Sequence, residues 1–390
     1  MLDRLSLDRE HFKSYKDKQI TLFKNLGSVP FTYGTIIFNK EKLVCFIEET
    51  NDQNNPFLLK NKIIALKGII NSPKSDREGL LNIDPNGDTI SLHRDVLISE
   101  LNQILEARTL ERAKYYLKRL ENGVQKIKTS KVNDINLLRW KEYDEIITDS
   151  LWMLDKRDSS GAHIASYWGN FIPQIPHQMM LRYTKKDEWV LDTFVGSGTT
   201  LIECKRLGRN GIGIELNSEV VQKANELVRK EYNKYRVTTE IIAGDNRTID
   251  IKTVLDKYGI KKVQLLIMHP PYHDIIKFSN DKNDLSRARN NEEFLEMFGE
   301  SVDNATPFLE KGRYFALVIG DKYSKGEWIP LGFYCMQEVL KREYLLKSII
   351  IKNFGETRGK RNQGELWRYR ALVGGFYIFK HEYVMLFKKK

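Results

Sequence analysis

The chain has 390 residues, a formal net charge of +11 and 41% hydrophobic residues. Single hydrophobic cores stop growing at roughly 250 to 300 residues, so we expect one large domain with a smaller unit appended to it. The positive charge favours a polyanionic partner, because each phosphate that Lys or Arg neutralises releases condensed counterions.

Three features exclude other classes of protein. No uninterrupted apolar stretch approaches the ~20 residues that cross a bilayer, and the charged segment Met1–Lys18 lacks the apolar core of a secretory signal. The three cysteines, Cys45, Cys204 and Cys335, lack the spacing of metal ligands. We therefore expect a cytoplasmic protein with reduced thiols, no membrane contact and no metal site.

Residues 1–135 are predicted to form a smaller α+β region. Thr35–Phe38 and Leu43–Ile47 have strand composition, Asp84–Asp88 favours a turn, and Asp95 to about Asn122 has helical spacing. The basic residues late in that helix either form a solvated face or contact a DNA backbone. The polar segment Lys126–Asp134 is the linker candidate, which places a domain boundary near residue 135.

Residues 136–390 alternate apolar strands with helical segments, which predicts a Rossmann-like, doubly wound, mostly parallel sheet. The predicted strands are Trp189–Leu191, Gly211–Ile214, Glu240–Ala243, Leu265–Met268 and Tyr314–Ile319. Two further runs, Ala371–Phe379 and Glu382–Phe387, are predicted to form a C-terminal antiparallel hairpin at the sheet edge.

A glycine-rich turn follows the first of these strands. The strand ends at Asp192, and Phe194, Gly196, Ser197, Gly198 and Thr199 then lead into a helical stretch, where glycine lets a ligand approach the backbone closely. The spacing is neither that of a dinucleotide fingerprint nor that of a phosphate-binding loop. Acids end the next two strands: Glu215 can accept from the ribose hydroxyls of an adenosine cofactor, and Asp245 from the adenine amine.

A second polar turn, His269-Pro270-Pro271-Tyr272, follows the strand Leu265–Met268. Two prolines stiffen it and offer no N–H of their own, so carbonyl oxygens are available as hydrogen-bond acceptors. An alternative is a proline-rich turn with only a structural role.

Residues Asp192–Thr200 resemble the Asp-Pro-Phe-x-Gly-Ser-Gly-Thr-Thr motif of S-adenosylmethionine-dependent amino-methyltransferases that act on DNA, with Thr193 in place of the usual proline. Gly169–Pro176 resembles the segment that covers the methionine end of the cofactor in that family, which implies a cofactor contact for Phe171. The second turn resembles the family's Asp/Asn/Ser-Pro-Pro-Tyr motif, from which His269 departs.

The resemblance implies methyl transfer to the exocyclic amine of a base in double-stranded DNA, flipped out of the duplex. His269 and the Pro270 carbonyl would accept from the amine, Pro271 would stiffen the loop, and Tyr272 would stack on the base. Adenine N6 is favoured over cytosine N4 because it is the commoner substrate of that family. A cognate restriction endonuclease is a candidate partner, and the oligomeric state stays open.

A polar loop near the carboxyl terminus is a candidate DNA contact. Arg358, Lys360 and Arg361 could meet phosphates, and Asn362 or Gln363 could read an adenine edge. The alternative is a solvated loop. Two other functions stay open for the whole chain: an RNA amino-methyltransferase acting on tRNA, and a DNA-binding subunit with a degenerate catalytic site.

Overall fold

A computed structural model describes residues 34–83, 87–154, 156–164, 169–353 and 364–390. The chain divides into two compact units: the smaller contains the described residues up to 131 together with 135–145, and the larger contains 132–134 and the described residues from 146 onward. The predicted domain ranges, 1–135 and 136–390, stay a prediction because residues 1–33 lie outside the described part. Among the described helices, none has both the length and the apolar character to span a membrane.

The smaller unit pairs two antiparallel strands and packs them with four helices, an α+β arrangement as predicted. Its elements are β1 (Thr35–Asn39), α1 (Lys40–Asn51), α2 (Pro56–Asn71), β2 (Thr89–His93), α3 (Arg94–Leu105) and α4 (Leu110–Gln125). Apolar side chains from both strands and all four helices form one core, for example Phe38, Leu59, Leu92, Leu101 and Leu117.

Two local predictions for this unit were wrong. Leu43–Ile47 lies in helix α1 and not in a strand, because the Asn39 side chain accepts from the Lys42 backbone N–H at 3.1 Å and caps the helix. The predicted single helix from Asp95 is two helices, since Thr109 caps α4 in the same way. The predicted turn at 84–88 falls largely on residues 84–86, outside the described residues.

The basic face of α4 is partly occupied within the smaller unit. Arg119 forms an ion pair with Glu100, and Lys118 lies 2.5 Å from Glu121. A DNA-backbone contact by this face stays a prediction.

The larger unit is built on an eight-stranded sheet with the order β3-β11-β12-β8-β7-β4-β5-β6. All its strands run parallel except β12, which is antiparallel to both β8 and β11. The strands are β3 (Leu151–Trp152), β4 (Trp189–Asp192), β5 (Asn210–Glu215), β6 (Thr239–Ala243), β7 (Val263–Met268), β8 (Leu309–Ile319), β11 (Tyr344–Asn353) and β12 (His381–Lys389). A separate ribbon pairs β9 (Lys322–Ser324) with β10 (Glu327–Ile329).

Helices cover both faces of this sheet. The helices are α5 (Gln174–Tyr183), α6 (Thr199–Leu207), α7 (Ser218–Lys230), α8 (Ile251–Asp256), α9 (Asn291–Ala305), α10 (Leu331–Leu340) and α11 (Gly364–Gly374). Successive residues of β7 enter two different apolar clusters: Leu266 and Met268 pack with α9 and α10, whereas Leu265 and Ile267 pack with α5. Burial on both faces explains why the strands read as continuous apolar runs, and the predicted doubly wound, Rossmann-like fold is confirmed.

Strand order reverses between β4 and β7. From β4 the chain proceeds outward through β5 and β6, and then returns to place β7 and β8 on the other side of β4. Ligands of open α/β sheets bind at the carboxyl ends of the strands at such a switch point. The fold therefore predicts a ligand site at the segments that follow Asp192 and Met268.

The predicted C-terminal hairpin was wrong about which segment pairs with residues 382–387. The chain does end in antiparallel strands, but β12 pairs with β11 and β8 inside the sheet. Residues 371–374 belong to helix α11, and residues 375–380 join no strand. Adjacent Gly374 and Gly375, the latter with φ +67°, interrupt the aromatic run, and the unbroken burial from Glu382 to Phe387 is typical of a central strand.

Candidate active site at the sheet switch point

The glycine-rich turn after β4 is held by a buried acid. Asp192 is fully buried and accepts from Thr200 Oγ1 at 2.5 Å and from the Phe194 backbone N–H at 3.0 Å. Burial raises the pKa of Asp192 to about 6, although both hydrogen bonds oppose the rise. Since both of its carboxylate oxygens bind groups of the turn, Asp192 holds the turn in shape, and the predicted cofactor contact of Asp192 stays a prediction.

Glycine is required at two positions of this turn. Gly196 has φ +52° and Gly198 has φ +87°, the left-handed region that β-branched residues avoid. A Cβ at Gly198 would also lie 2.8 Å from Val228 Cγ2 on α7. The bare backbone at the start of α6 is thereby packed closely against α7.

The acid that ends β5 lies directly beside this turn. Glu215 Oε2 accepts from the Gly196 backbone N–H at 3.1 Å, and Oε1 accepts from the Asn217 N–H at 3.0 Å. Burial raises the pKa of Glu215, with both backbone hydrogen bonds opposing it. Each oxygen retains a second lone pair that could accept from a ligand hydroxyl.

Asp245, which follows β6, is engaged by its neighbour. The Arg247 guanidinium donates from Nη2 to Asp245 Oδ2 at 2.8 Å, and Arg247 Nε lies 3.1 Å from Oδ1. A cavity of about 770 Å³ is lined by this pair together with Lys282, Glu300 and Asp303, among others. The predicted contact between Asp245 and an adenine amine stays a prediction.

The segment before α5 connects the two predicted halves of the site. The Asn170 side chain donates to Ser197 Oγ at 2.7 Å and accepts from Thr199 Oγ1 at 2.8 Å. The next residue, Phe171, is buried and meets the His269 ring edge-on, with ring centres 4.9 Å apart. The structure therefore brings the glycine-rich turn and the proline-rich turn together through Asn170, a residue that sequence reasoning did not select.

The proline-rich turn sits above a buried ion pair. Tyr272 Oη donates to Glu382 Oε2 at 2.7 Å and lies 3.3 Å from His269 Nε2. Lys352 Nζ lies 3.1 Å from Glu382 Oε1, and both partners are about nineteen-twentieths buried, with exposed fractions of 5% and 4%. Sequence reasoning missed both residues, although a glutamate inside the apolar run Glu382–Phe387 is a detectable signal because acids are almost never buried without a partner.

These contacts set the charge states at the turn. Burial lowers the pKa of His269 to about 4, against an opposing pull from Glu382. Burial raises the pKa of Tyr272 well above its ordinary value. Burial alone would raise the pKa of Glu382, but the neighbouring charges, chiefly that of Lys352, together with the hydrogen bonds from Tyr272 and Lys352 hold the pKa below its usual range. Near neutral pH the site holds a neutral imidazole, a neutral phenol and an ionised carboxylate.

Backbone strain marks the residue after the turn. His273 is buried with φ +52°, an uncommon conformation for a residue other than glycine. Lys322 Nζ lies 2.9 Å from His273 Nδ1 and also pairs with Asp274, while His273 Nε2 lies 2.9 Å from the Ala288 carbonyl. Strained residues held by several contacts cluster at functional sites, which supports a role for this turn beyond folding.

Several aromatic side chains that follow the proline-rich turn in the chain pack within the protein, and the predicted DNA contacts lie in a segment that the structure does not describe. Tyr323 stacks on Phe376 with centres 4.2 Å apart, and Trp328 packs on Phe379 at 4.1 Å. Phe278 packs close to Gly169. Arg358, Lys360, Arg361, Asn362 and Gln363 all lie outside the described residues.

Helix α6 also carries a buried acid away from the two turns. Glu203 accepts from His163 Nε2 and His177 Nδ1, each at 2.6 Å. Asp158, His163 and Glu203 could together face a metal ion, but the Arg206 guanidinium lies 3.0 Å from Asp158 and 3.3 Å from Glu203. The cluster is therefore an ion-pair network that ties α6 to α5 and to the segment before it.

Replacing Glu203 with glutamine is expected to lower the free energy of unfolding by about 1–3 kcal/mol, because Arg206 and two histidines lose a charged acceptor. Burial alone would raise the pKa of Glu203, but the hydrogen bonds from His163 and His177 hold it well below its usual range. The stabilisation is therefore fully present above the unfolded-state pKa of about 4.3 and declines as the pH falls below it. Urea unfolding at pH 7 and pH 4 measures both effects.

Glu226→Ala on the neighbouring helix α7 is the matched control. Glu226 is exposed, so its loss should change the unfolding free energy by less than about 0.5 kcal/mol. Equal stability of Glu203→Gln and wild type at pH 7 would contradict the assigned network.

Known proteins resemble this chain in sequence over part of its length. Residues 22–226 match a family described as DNA methylase. The type II methyltransferase M.MjaII of Methanocaldococcus jannaschii is 23% identical over 56% of this chain and 44% of its own length. M.HpaI of Haemophilus parainfluenzae is 43% identical over 15% of this chain and 18% of its own, and M2.DpnII of Streptococcus pneumoniae is 29% identical over 34% and 52%. The chain thus spans about half or less of each of these relatives.

Proposed function

The chain belongs to the DNA methylase family of N6-adenine and N4-cytosine enzymes, and from this premise we propose that it transfers a methyl group to an exocyclic base amine of double-stranded DNA. Family membership makes S-adenosylmethionine its cofactor. One observation carries the proposal: the glycine-rich and proline-rich turns follow the adjacent parallel strands β4 and β7 and meet through Asn170 and Phe171.

The residues at the first turn suit this cofactor. Gly196 places no side chain between a ligand and its own backbone, Glu215 keeps lone pairs for ribose hydroxyls, and Phe171 would supply an apolar cover. The contributions of Phe194, Ser197, Thr199 and Asp245 to binding are part of the proposal. When bound, the cofactor supplies an electrophilic methyl group on a positively charged sulfur.

The residues at the second turn suit an amine nucleophile. An amine conjugated to a base ring gains nucleophilicity as its lone pair becomes localised, and acceptors on its hydrogens favour that change. His269 and the Pro270 carbonyl provide the acceptors, and Pro271 stiffens the turn. The cofactor's sulfur would keep the electron pair of the bond to the departing methyl group, and the amine proton would pass to solvent, because a histidine with a pKa of about 4 is too weak a base to keep it.

One face of Tyr272 is already occupied. A Cβ at Gly320 would lie 2.8 Å from the Tyr272 ring, so that glycine packs directly against the phenol. Any stacking of the target base would use the other face. Access of a base to this turn requires the nucleotide to leave the duplex, at a cost of a few kcal/mol.

The direct test supplies purified protein with methyl-labelled cofactor and either unmethylated genomic DNA or total tRNA. We expect label in DNA, and mass spectrometry of the nucleosides then identifies N6-methyladenine or N4-methylcytosine, with adenine favoured. Label confined to tRNA would contradict the proposal. Cofactor binding without transfer to either substrate would indicate a degenerate DNA-binding subunit.

The role of the rest of the chain is also proposed. The smaller unit would help to recognise the target sequence, together with the basic loop that contains Arg358, Lys360 and Arg361. A cognate restriction endonuclease is the proposed partner, in keeping with the type II relatives. Expression of the chain in a host, followed by digestion of its DNA with endonucleases of known specificity, would identify the protected sequence.

The pH dependence of methyl transfer should reflect the low pKa of His269. Protonation of the ring removes its acceptor, so the rate falls only as the pH drops towards about 4, and the single-turnover rate should be nearly constant between about pH 8 and 6. A histidine with the ordinary pKa of about 6.5 would be only about one quarter neutral at pH 6. A three- to fourfold fall in rate from pH 8 to pH 6 would therefore refute a neutral, acceptor role for His269.

A further inference from the structure

The buried ion pair beneath the proline-rich turn calls for a physical explanation. Burying two charges carries a desolvation penalty that their attraction often fails to repay, so such pairs are weak evidence for stability alone. Lys352 on β11 and Glu382 on β12 nevertheless lie almost fully buried, directly opposite each other on these adjacent strands. Glu382 presents one oxygen to Lys352 and the other to Tyr272.

The ionised carboxylate fixes the direction of two hydrogen bonds in sequence. A carboxylate only accepts, so the single phenolic hydrogen of Tyr272 points to Glu382 Oε2. Towards His269 Nε2, 3.3 Å away, the phenol oxygen can then only accept. Nε2 must therefore carry the ring proton, and in the neutral imidazole Nδ1 keeps its lone pair.

We propose that Glu382 is a positioning residue that acts through Tyr272 to hold His269 in its Nε2-protonated tautomer, which presents Nδ1 as the acceptor for the target amine. This inference rests on the proposed function. It explains how histidine can stand where the resembled motif carries an aspartate, asparagine or serine oxygen: a ring that can place its proton on either nitrogen needs a neighbour that fixes the choice.

Glu382→Gln should reverse the whole chain of hydrogen bonds. The Lys352 ammonium can only donate hydrogen bonds, so it would bind the glutamine oxygen and leave the glutamine NH2 facing Tyr272. The phenol oxygen would accept from that NH2 and turn its hydrogen to His269 Nε2. The ring proton would then move to Nδ1, where the acceptor is needed.

The kinetic test uses single-turnover methyl transfer at saturating cofactor. Glu382→Gln should lower the rate by about 100-fold, the scale of one lost transition-state hydrogen bond, and Tyr272→Phe by less than about tenfold. The double variant should be at least about tenfold faster than Glu382→Gln alone, because removal of the phenol hydroxyl abolishes the reversed bond to His269. A purely structural role of Glu382 predicts no such rescue, and a double variant no faster than Glu382→Gln would overturn the proposal.

The tautomer itself can be observed by NMR of protein with ¹⁵N-labelled imidazole rings, with the His269 signals assigned by their loss in His269→Asn. We expect Nε2 protonation in the wild-type chain, Nδ1 protonation in Glu382→Gln, and a mixture of both tautomers in Tyr272→Phe. Tyr383→Phe is the matched control, since Tyr383 Oη binds the Asp321 carboxylate at 3.0 Å on the same sheet and should leave the His269 signals unchanged.

The two readouts separate the inference from the proposed function. Wild-type His269 found protonated on Nδ1, or on both nitrogens, at neutral pH would overturn the inference even if the chain methylates DNA. Absence of methyl transfer to DNA with an Nε2-protonated His269 would refute the proposed function and leave the hydrogen-bond direction supported. If Glu382→Gln does not fold, the spectra of the wild-type chain and of Tyr272→Phe still test which nitrogen of His269 carries the proton.

Discussion

Replacing His269 with alanine is expected to lower the rate constant for methyl transfer by about 100- to 1000-fold, the effect of removing one donor or acceptor aimed at the transition state. The dissociation constant of S-adenosylmethionine should stay within about threefold of wild type, since the cofactor residues lie on the neighbouring turn. The imidazole is neutral, half-buried and held between Phe171 and Tyr272. Single-turnover kinetics with labelled cofactor measure the rate, and calorimetry measures the binding.

His269→Asn is the matched control for that result. The asparagine amide oxygen can accept from the target amine without any choice of tautomer, so we expect the rate to stay within about tenfold of wild type. An alanine variant as active as the asparagine variant would show that position 269 accepts no hydrogen bond in the transition state.

Replacing Gly196 with valine is expected to weaken cofactor binding by at least about 100-fold, roughly 2.8 kcal/mol. The new side chain would occupy the path by which the ligand reaches the backbone, and a β-branched residue at φ +52° carries strain of about 1–3 kcal/mol. Movement of the turn would also break the bond from the Gly196 N–H to Glu215. Calorimetry with S-adenosylmethionine tests this expectation.

Gly259→Val separates strain from ligand exclusion. Gly259 has φ +68°, and no heavy atom lies within 4 Å of a Cβ built there. It precedes β7, at the opposite end of the sheet from the two turns. We expect comparable destabilisation of the fold with unchanged cofactor affinity. Equal affinity in the Gly196 and Gly259 variants would remove the glycine-rich turn from the binding site.

The placement of both turns at one end of the sheet follows from topology. Parallel strands β4 and β7 pair directly, with Asp192 opposite Ile267, so the segments that follow them emerge at the same edge. Because strand order reverses there, no crossover helix fills the space between the two turns. Methyl transfer needs donor and nucleophile at one point, and this is the part of a doubly wound sheet that can offer it.

Hydrophobic periodicity and turn-forming residues correctly predicted the elements whose structure depends on the local sequence. The strands β4 to β8 appear where apolar runs predicted them, whereas β3 and β11 were not predicted, and Asp192, Glu215 and His269 lie at strand ends as expected. Predictions from local patterns were wrong where a helix cap or a pair of glycines determined the secondary structure. Asn39 turned an apolar run into helix α1, and Gly374 and Gly375 kept an aromatic run out of the sheet.

Only the tertiary structure decided which polar groups meet. Lys352 and Glu382 are 30 positions apart and far from His269 in the chain, yet the pairing of β11 with β12 and β8 brings Glu382 under Tyr272. Hydrophobic patterning specifies which face of a strand is buried but carries no information about which neighbour a buried charge will contact. The sequence by itself therefore determined the fold class and the two turns, whereas strand pairing across the sheet decided the charge states and partners of the residues between them.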